Sequence, residues 1–174
     1  NQYGGGTRQT YYILEKLLQL GYQPILVSNT KDSWLGIRIS EKNLPIHLHY
    51  TNLIQRAINP FKDFACFVKI LSILMEEKPD AIIAAGVKLI GLTSVAGCLA
   101  RVPKRYAIIR GQGAAPDSKL IKVIYLMERI MALFGSHFIT VAEHDRQVML
   151  EKKITSLERI TTVYNLSLIH ISEP

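Results

Sequence analysis

Cysteine is scarce in this chain. Two in 174 residues, Cys66 and Cys98, are too few for a disulfide framework. Each stands in an apolar helical stretch, where cysteine packs as a small hydrophobe, and the pair suits a reducing compartment such as the cytoplasm. A long unbroken apolar run is also lacking. Ala81 to Ala100 comes nearest, but Lys88 lies inside it and Gly86, Gly91 and Gly97 interrupt it, so it reads as a buried strand followed by a buried helix. The opening residues NQYGGG are polar and glycine-rich, unlike the basic-then-apolar order of a secretory signal. Several motifs are missing as well. There is no G-x-G-x-x-G, no Gly-Lys-Ser/Thr phosphate loop, no G-x-S-x-G and no H-E-x-x-H, which sets aside the dinucleotide fingerprint, the Walker loop, the hydrolase elbow and the zinc-protease helix. Helix-turn-helix and RNP signatures are lacking, as are aromatics clustered among basic residues, so no nucleic-acid partner is expected.

Acid is the scarcer charge. Asp and Glu number 14 against 21 Lys and Arg, a formal charge of +7, which favours acidic partners such as phosphates, nucleotides or anionic lipid. Apolar residues make up 48 %, enough for a real core and too many for a disordered chain. The length suits one ordinary domain.

What is present is an alternation. PILVSN (24–29), IHLHY (46–50), DAIIAA (80–85), RYAIIR (105–110), HFITVA (137–142) and ITTVYN (160–165) are apolar or β-branched on both faces, as buried parallel strands are. Helical stripes lie between them. Tyr11, Leu14, Leu17 and Leu18 form one; Phe67, Ile70, Leu71 and Leu74 form another. Ile90–Arg101 is apolar nearly all round, Leu120–Phe134 is long with Lys119, Lys122 and Arg129 on one side, and Glu143–Lys153 is short and charged. Strand, helix, strand in this order predicts an α/β fold: a doubly wound, mostly parallel sheet with Rossmann-like topology. The helix after Gly6 has no strand before it, so the first strand is expected to be missing.

In such a sheet ligands bind outside the carboxyl ends of the strands. The turns that fall there carry Gly4, Gly5, Gly6, Thr7 and Arg8; Gly86 and Lys88; Arg110, Gly111, Gln112 and Asp117; and Glu143. Glycines before a helix let backbone approach a ligand, and the free N–H groups of the first turn face an anion. Thr7 is expected to cap that helix and Arg8 to add charge; the alternative is a plain flexible connection. Arg110 offers a fork for phosphate or carboxylate, while Gln112 and Asp117 can bond hydroxyls. Arg101, Lys104 and Arg105 fall at the opposite edge and read as solvated surface. His47 and His49 alternate on one strand face, but no Cys or acid stands at matching spacing in the sequence, so no metal site is expected.

Four of these stretches together resemble family 4 glycosyltransferases. GGGTRQTYYILEKLLQLGYQPILVSN is similar to that family's opening strand-turn-helix and its Gly-Tyr turn into the second strand. EEKPDAIIAAG is similar to its "Pro-Asp-apolar" strand, FITVAEHDRQVML to its following strand and helix, and RITTVYN to the strand leading to its interdomain crossover. The resemblance spans residues 1–165. It implies an N-terminal, acceptor-side Rossmann-like domain and a C-terminal donor-holding domain that this stretch does not contain. It implies retaining transfer from a nucleotide-sugar to a glycan, lipid-linked or small-molecule acceptor, without metal or cofactor. In the mechanism usually favoured for the family, the donor's own phosphate takes the acceptor proton. Gly4–Gly6 would lie near the donor phosphates. Arg110 and Gly111 fall where many members have a sugar-contacting His-Gly pair; here Arg replaces His. Relatives acting on lipid-linked acceptors add a peripheral contact at the inner face of a membrane, through the 119–134 helix. The isolated fragment is expected to be inactive. A phosphate- or nucleotide-binding α/β domain without catalysis is the alternative.

After Asn165 the chain reads LSLIHISEP where the family has Gly, an aliphatic residue and Asp. Residues 166–174 resemble the in-frame translation of a transposase adapter used in sequencing libraries, and are expected to be a non-native tail. Deleting 166–174 should then change unfolding stability by less than about 0.5 kcal/mol, the range for changes that touch no core feature. A loss of several kcal/mol in denaturant unfolding would make the tail an integral strand.

Overall fold

The structure, a computed structural model, describes residues 5–29, 33–54, 59–110 and 119–164. In chain order the elements are α1 (Gly5–Gln19), β1 (Ile25–Ser28), α2 (Trp34–Glu41), β2 (His47–Tyr50), α3 (Pro60–Glu77), β3 (Ala81–Ala85), α4 (Val87–Leu99), β4 (Lys104–Ile109), α5 (Lys119–Leu133), β5 (His137–Thr140), α6 (Glu143–Glu151), a 3-10 turn (Leu157–Arg159) and β6 (Ile160–Thr162). The six strands expected from the sequence all form, and every pairing among them is parallel. The single sheet expected does not: β1–β2 is one sheet and β3-β4-β5-β6 another.

The chain divides into two compact units, Asn1–Asp63 and Phe64–Pro174. In the first, α1 presents Tyr11 and Leu14, and α2 presents Leu35 and Ile39, to a core completed by Leu26, Trp34, Leu44, Ile46 and Leu48. The α1 stripe repeats at helical spacing, so both of its buried residues face the same way. Gly21 ends this helix. At φ +81° it takes the left-handed conformation of a helix C-cap, while Tyr22 N–H donates to Leu17 O at 3.0 Å and Gly21 N–H to Leu18 O at 3.0 Å, the paired bonds of a Schellman ending. Ser33 starts α2: its Oγ accepts from Gly36 N–H at 3.1 Å.

The second unit has sheet order 3-4-5-6, so each crossover steps one strand further in the same sense. Its core is Ala84, Ile90, Ala107, Ile109, Met131, Phe138, Met149, Ile154 and Ile160. Phe138 is fully buried, a side chain whose burial contributes about 1.5–3 kcal/mol. Helix α4 packs tightly on the sheet at Gly97, where a Cβ would sit 2.7 Å from Ile82 Cδ1 and 3.0 Å from Arg105 Cδ. Ser94 and Ser136, both buried, share a hydrogen bond of 2.9 Å that ties α4 to the start of β5.

Arg105 corrects its sequence reading. It is half-buried. Its Nε and Nη2 donate to Phe134 O at 3.0 and 2.8 Å, and Nη1 donates to Val102 O. The guanidinium thus joins the amino end of β4 to the turn that ends α5. A long side chain can lie at the solvent edge of a strand and still reach a carbonyl distant in sequence. Arg105→Ala should cost about 1–3 kcal/mol, because two carbonyls lose a charged donor. Gly97→Ala should cost a similar amount by overpacking, unless Ile82 can turn away. Denaturant midpoints of both variants check this; wild-type stability in Arg105→Ala would remove the clamp.

Candidate functional site

Parallel strands run with their carboxyl ends on one side. The residues that follow β3, β4, β5 and β6 therefore lie along one edge of the second unit's sheet, with neighbouring strands about 4.8 Å apart. Gly86 follows β3 and is the N-cap residue of α4. Its φ of 92° and ψ of 124° suit only glycine, and no side chain caps the helix there. The first turn of α4 contains no acid and holds half-buried Lys88. A helix N-terminus with a cation in its first turn attracts anions.

Arg110 follows β4, the strand between β3 and β5. It is half-buried, and loss of water around the guanidinium lowers its proton affinity from the usual arginine value. An anion bound beside it would offset that cost. Lys88 and Arg110 are thus separated by one strand step along the same edge.

At β5 and β6 the edge becomes acidic and hydroxylic. Glu143 opens α6 after an N-cap, Ala142, that has no capping side chain, so its carboxylate sits favourably at the helix N-terminus. Arg146 Nη1 donates to Glu143 Oε1 at 2.6 Å. Thr162 Oγ1 donates to Glu143 Oε2 at 3.1 Å. Thr140 and Thr162 are register partners on β5 and β6, with hydroxyls 3.1 Å apart. Because Thr162 has one hydroxyl proton and gives it to Glu143, Thr140 is the donor in that pair. The result is a directed chain, Thr140 to Thr162 to Glu143. The Arg146 hydrogen bond, aided by that from Thr162, holds the Glu143 carboxyl below the usual range. Glu143 is therefore ionised and an acceptor: it can orient a hydroxyl and is a weak base.

Four sequence-predicted residues, Gly86, Lys88, Arg110 and Glu143, are thus brought to one edge. Gly5, Gly6, Thr7 and Arg8 belong to the other unit. There the helix starts at Gly5, so Thr7 lies inside the first turn and is not its N-cap, a correction to the sequence reading. The glycines are taken into the helix, and Thr10 Oγ1 donates to Gly6 O at 2.9 Å. His47 and His49 share a strand face as expected, with ring centroids 4.6 Å apart. Gly4, Gly111, Gln112 and Asp117 lie outside the described residues. Sequence reasoning missed Thr140, Thr162 and Arg146. The available signal was a threonine closing each of two consecutive strands, and an Arg three residues after Glu143.

No protein-family profile matches the chain, and no curated protein matches it in sequence. Among solved structures it is similar to the crystal structure of a glycosyltransferase from Rickettsia africae ESF-5, with TM-score 0.69 and 20 % identity over 93 % of this chain. The likeness is one of fold, a Rossmann-like α/β arrangement. The chain spans 40 % of that protein's length.

Glu143 supplies a pH test. A carboxyl whose folded pKa is depressed contributes stability above its ordinary value of 4.5; the contribution is lost as pH falls through the folded value. Glu143→Gln should therefore be less stable than wild type at neutral pH, and the two unfolding midpoints should converge in acid below that value. A difference that stays constant across the acid range would show that ionisation of Glu143 is not involved.

Proposed function

We propose that this chain is the acceptor-side, N-terminal half of a family 4 glycosyltransferase, one that moves a sugar from a nucleotide-sugar to a glycan, lipid-linked or small-molecule acceptor. The observation that carries the reading is the edge of the four-stranded sheet. Two cations, Lys88 and Arg110, and a carboxylate, Glu143, that accepts a hydrogen bond from Thr162 follow the carboxyl ends of the adjacent strands β3, β4 and β5. Phosphates and sugar hydroxyls call for these two kinds of group side by side. The similarity of fold to a glycosyltransferase supports the reading, as do the four sequence stretches that resemble family 4.

In this reading Lys88 and Arg110 balance negative charge that develops on the donor's phosphates as the glycosidic bond breaks. Glu143 accepts a hydrogen bond from an acceptor hydroxyl and fixes its direction. The acceptor proton leaves with the donor phosphate, so no protein nucleophile is needed. Most of the donor is held by a second domain outside this sequence, and the chain works in the cytoplasm.

The isolated 174-residue chain should turn over no nucleotide-sugar. In a full-length protein, Arg110→Ala should lower transfer by about 10²-fold, the scale for losing one charge-stabilising donor. Lys104→Ala, an exposed residue at the amino end of β4, should leave transfer within about twofold by the same scale. Turnover by the isolated chain, or equal loss in the two variants, would overturn the proposal. Nucleotide binding without any transfer by the full-length protein would favour a non-catalytic α/β domain.

A further inference from the structure

Strand β2 sets two imidazoles side by side. His47 and His49 are two residues apart, so the strand repeat puts both on one face. Leu48, between them, turns to the other face and packs with Leu26 against the α1–α2 core. The histidine face is therefore the one turned away from that core. Its neighbours on β1 are the register partners Ile25 and Val27, whose side chains stand on the same side as the two rings. His47 is exposed and His49 is half-buried.

The two ring centroids are 4.6 Å apart with the planes tilted by 46°, and a ring nitrogen of each lies within 4.8 Å of the other. A metal ion that binds two imidazoles at about 2.0–2.1 Å holds their nitrogens roughly 3–4 Å apart, from right-angled to opposed ligands. Rotation of the rings closes that difference. The backbone of β2 need not move, because its ladder to β1 already fixes where the two side chains start. Imidazole nitrogen is a ligand for zinc, copper and nickel, whereas magnesium and calcium take oxygen. Ile25 and Val27 give the pair an apolar flank, which limits water on that side of a bound ion.

We propose that His47 and His49 form a chelating site for a zinc-class transition-metal ion, with solvent filling the remaining coordination positions. Water as the other ligand is why the sequence needs no Cys or acid at matching spacing. Copper(II) binds such a pair more tightly than zinc, by the general order of affinity for nitrogen sites. The bound ion fixes two side chains that otherwise rotate, at a spacing the unfolded chain only visits, so it stabilises the folded first unit. The site uses none of Gly86, Lys88, Arg110 or Glu143, and the proposed transfer takes no metal. Metal binding and sugar transfer are therefore read separately, and failure of one does not decide the other.

The test is titration of the untagged 174-residue chain with zinc chloride, followed by calorimetry, and with copper(II), followed by electron paramagnetic resonance. Zinc should bind at a ratio of one ion to one chain. Copper should bind more tightly and show hyperfine splitting from two nitrogens, and magnesium should not bind. The thermal unfolding midpoint should rise with zinc and fall back with a chelator. His47→Gln and His49→Gln should each weaken zinc binding about tenfold or more. Their unfolding midpoints in chelator should stay close to wild type, because neither ring belongs to the α1–α2 core. His144→Gln, at an exposed position of α6, should leave zinc affinity unchanged. Absence of zinc binding, affinity that survives either His47→Gln or His49→Gln, or an equal loss in His144→Gln would each overturn the proposal. So would one ion shared by two chains, because a second copy would then complete the site.

Discussion

Parallel pairing is the constraint on which the second unit depends. A parallel neighbour cannot be reached by a tight hairpin, so each of β3, β4 and β5 must be followed by a helix that carries the chain back. Stepping in one sense through the order 3-4-5-6 gathers all four carboxyl ends on one edge. The edge residues therefore come from parts of the sequence more than seventy positions apart, Gly86 to Thr162, and need no contact in sequence to share a surface. Arg105 supports the same frame from its other end, where it bonds Phe134 O and Val102 O. It keeps the turn out of α5 against the entry to β4, and so keeps β5 in register beside β4.

Much of this could be read from the residues. Six strands were legible because β-branched and aliphatic runs, apolar on both faces, have few other uses in a chain of this kind. The edge positions of Lys88, Arg110 and Glu143 were legible for the same reason: once strand direction is known, the residue after each strand has a place. Helix α2 was not. It is eight residues long and has Gly36 inside, so its stripe of Leu35 and Ile39 is too short to stand out from a loop. Thr140 and Thr162 were hidden differently. Threonine is an ordinary strand residue, and only the β5–β6 register sets these two hydroxyls 3.1 Å apart. Arg105 was misread because its strand position gives the edge, while its reach to Phe134 depends on how α5 ends. The division into two sheets depends on a pairing that the pattern of one chain does not carry.

Two surfaces of opposite character share α4. Its N-terminus, with Gly86 and Lys88, belongs to the polar edge. Its outer side, from Gly91 onward, belongs to an apolar groove shared with Phe67 and Ile130. Gly91 and Leu92 follow Gly86 by five and six residues, about 8–9 Å along the helix at 1.5 Å per residue.

The electrostatics of Glu143 narrow what the edge can do. A general base works best when its pKa lies near the working pH, and Arg146 moves Glu143 the other way. Thr162 adds a second bond to the ionised form, and Thr140 supports Thr162. A carboxylate held in this way is disposed to accept a hydrogen bond rather than a proton. In the proposed reading Glu143 therefore orients the acceptor hydroxyl, Lys88 and Arg110 supply positive charge, and the acceptor proton leaves with the donor phosphate.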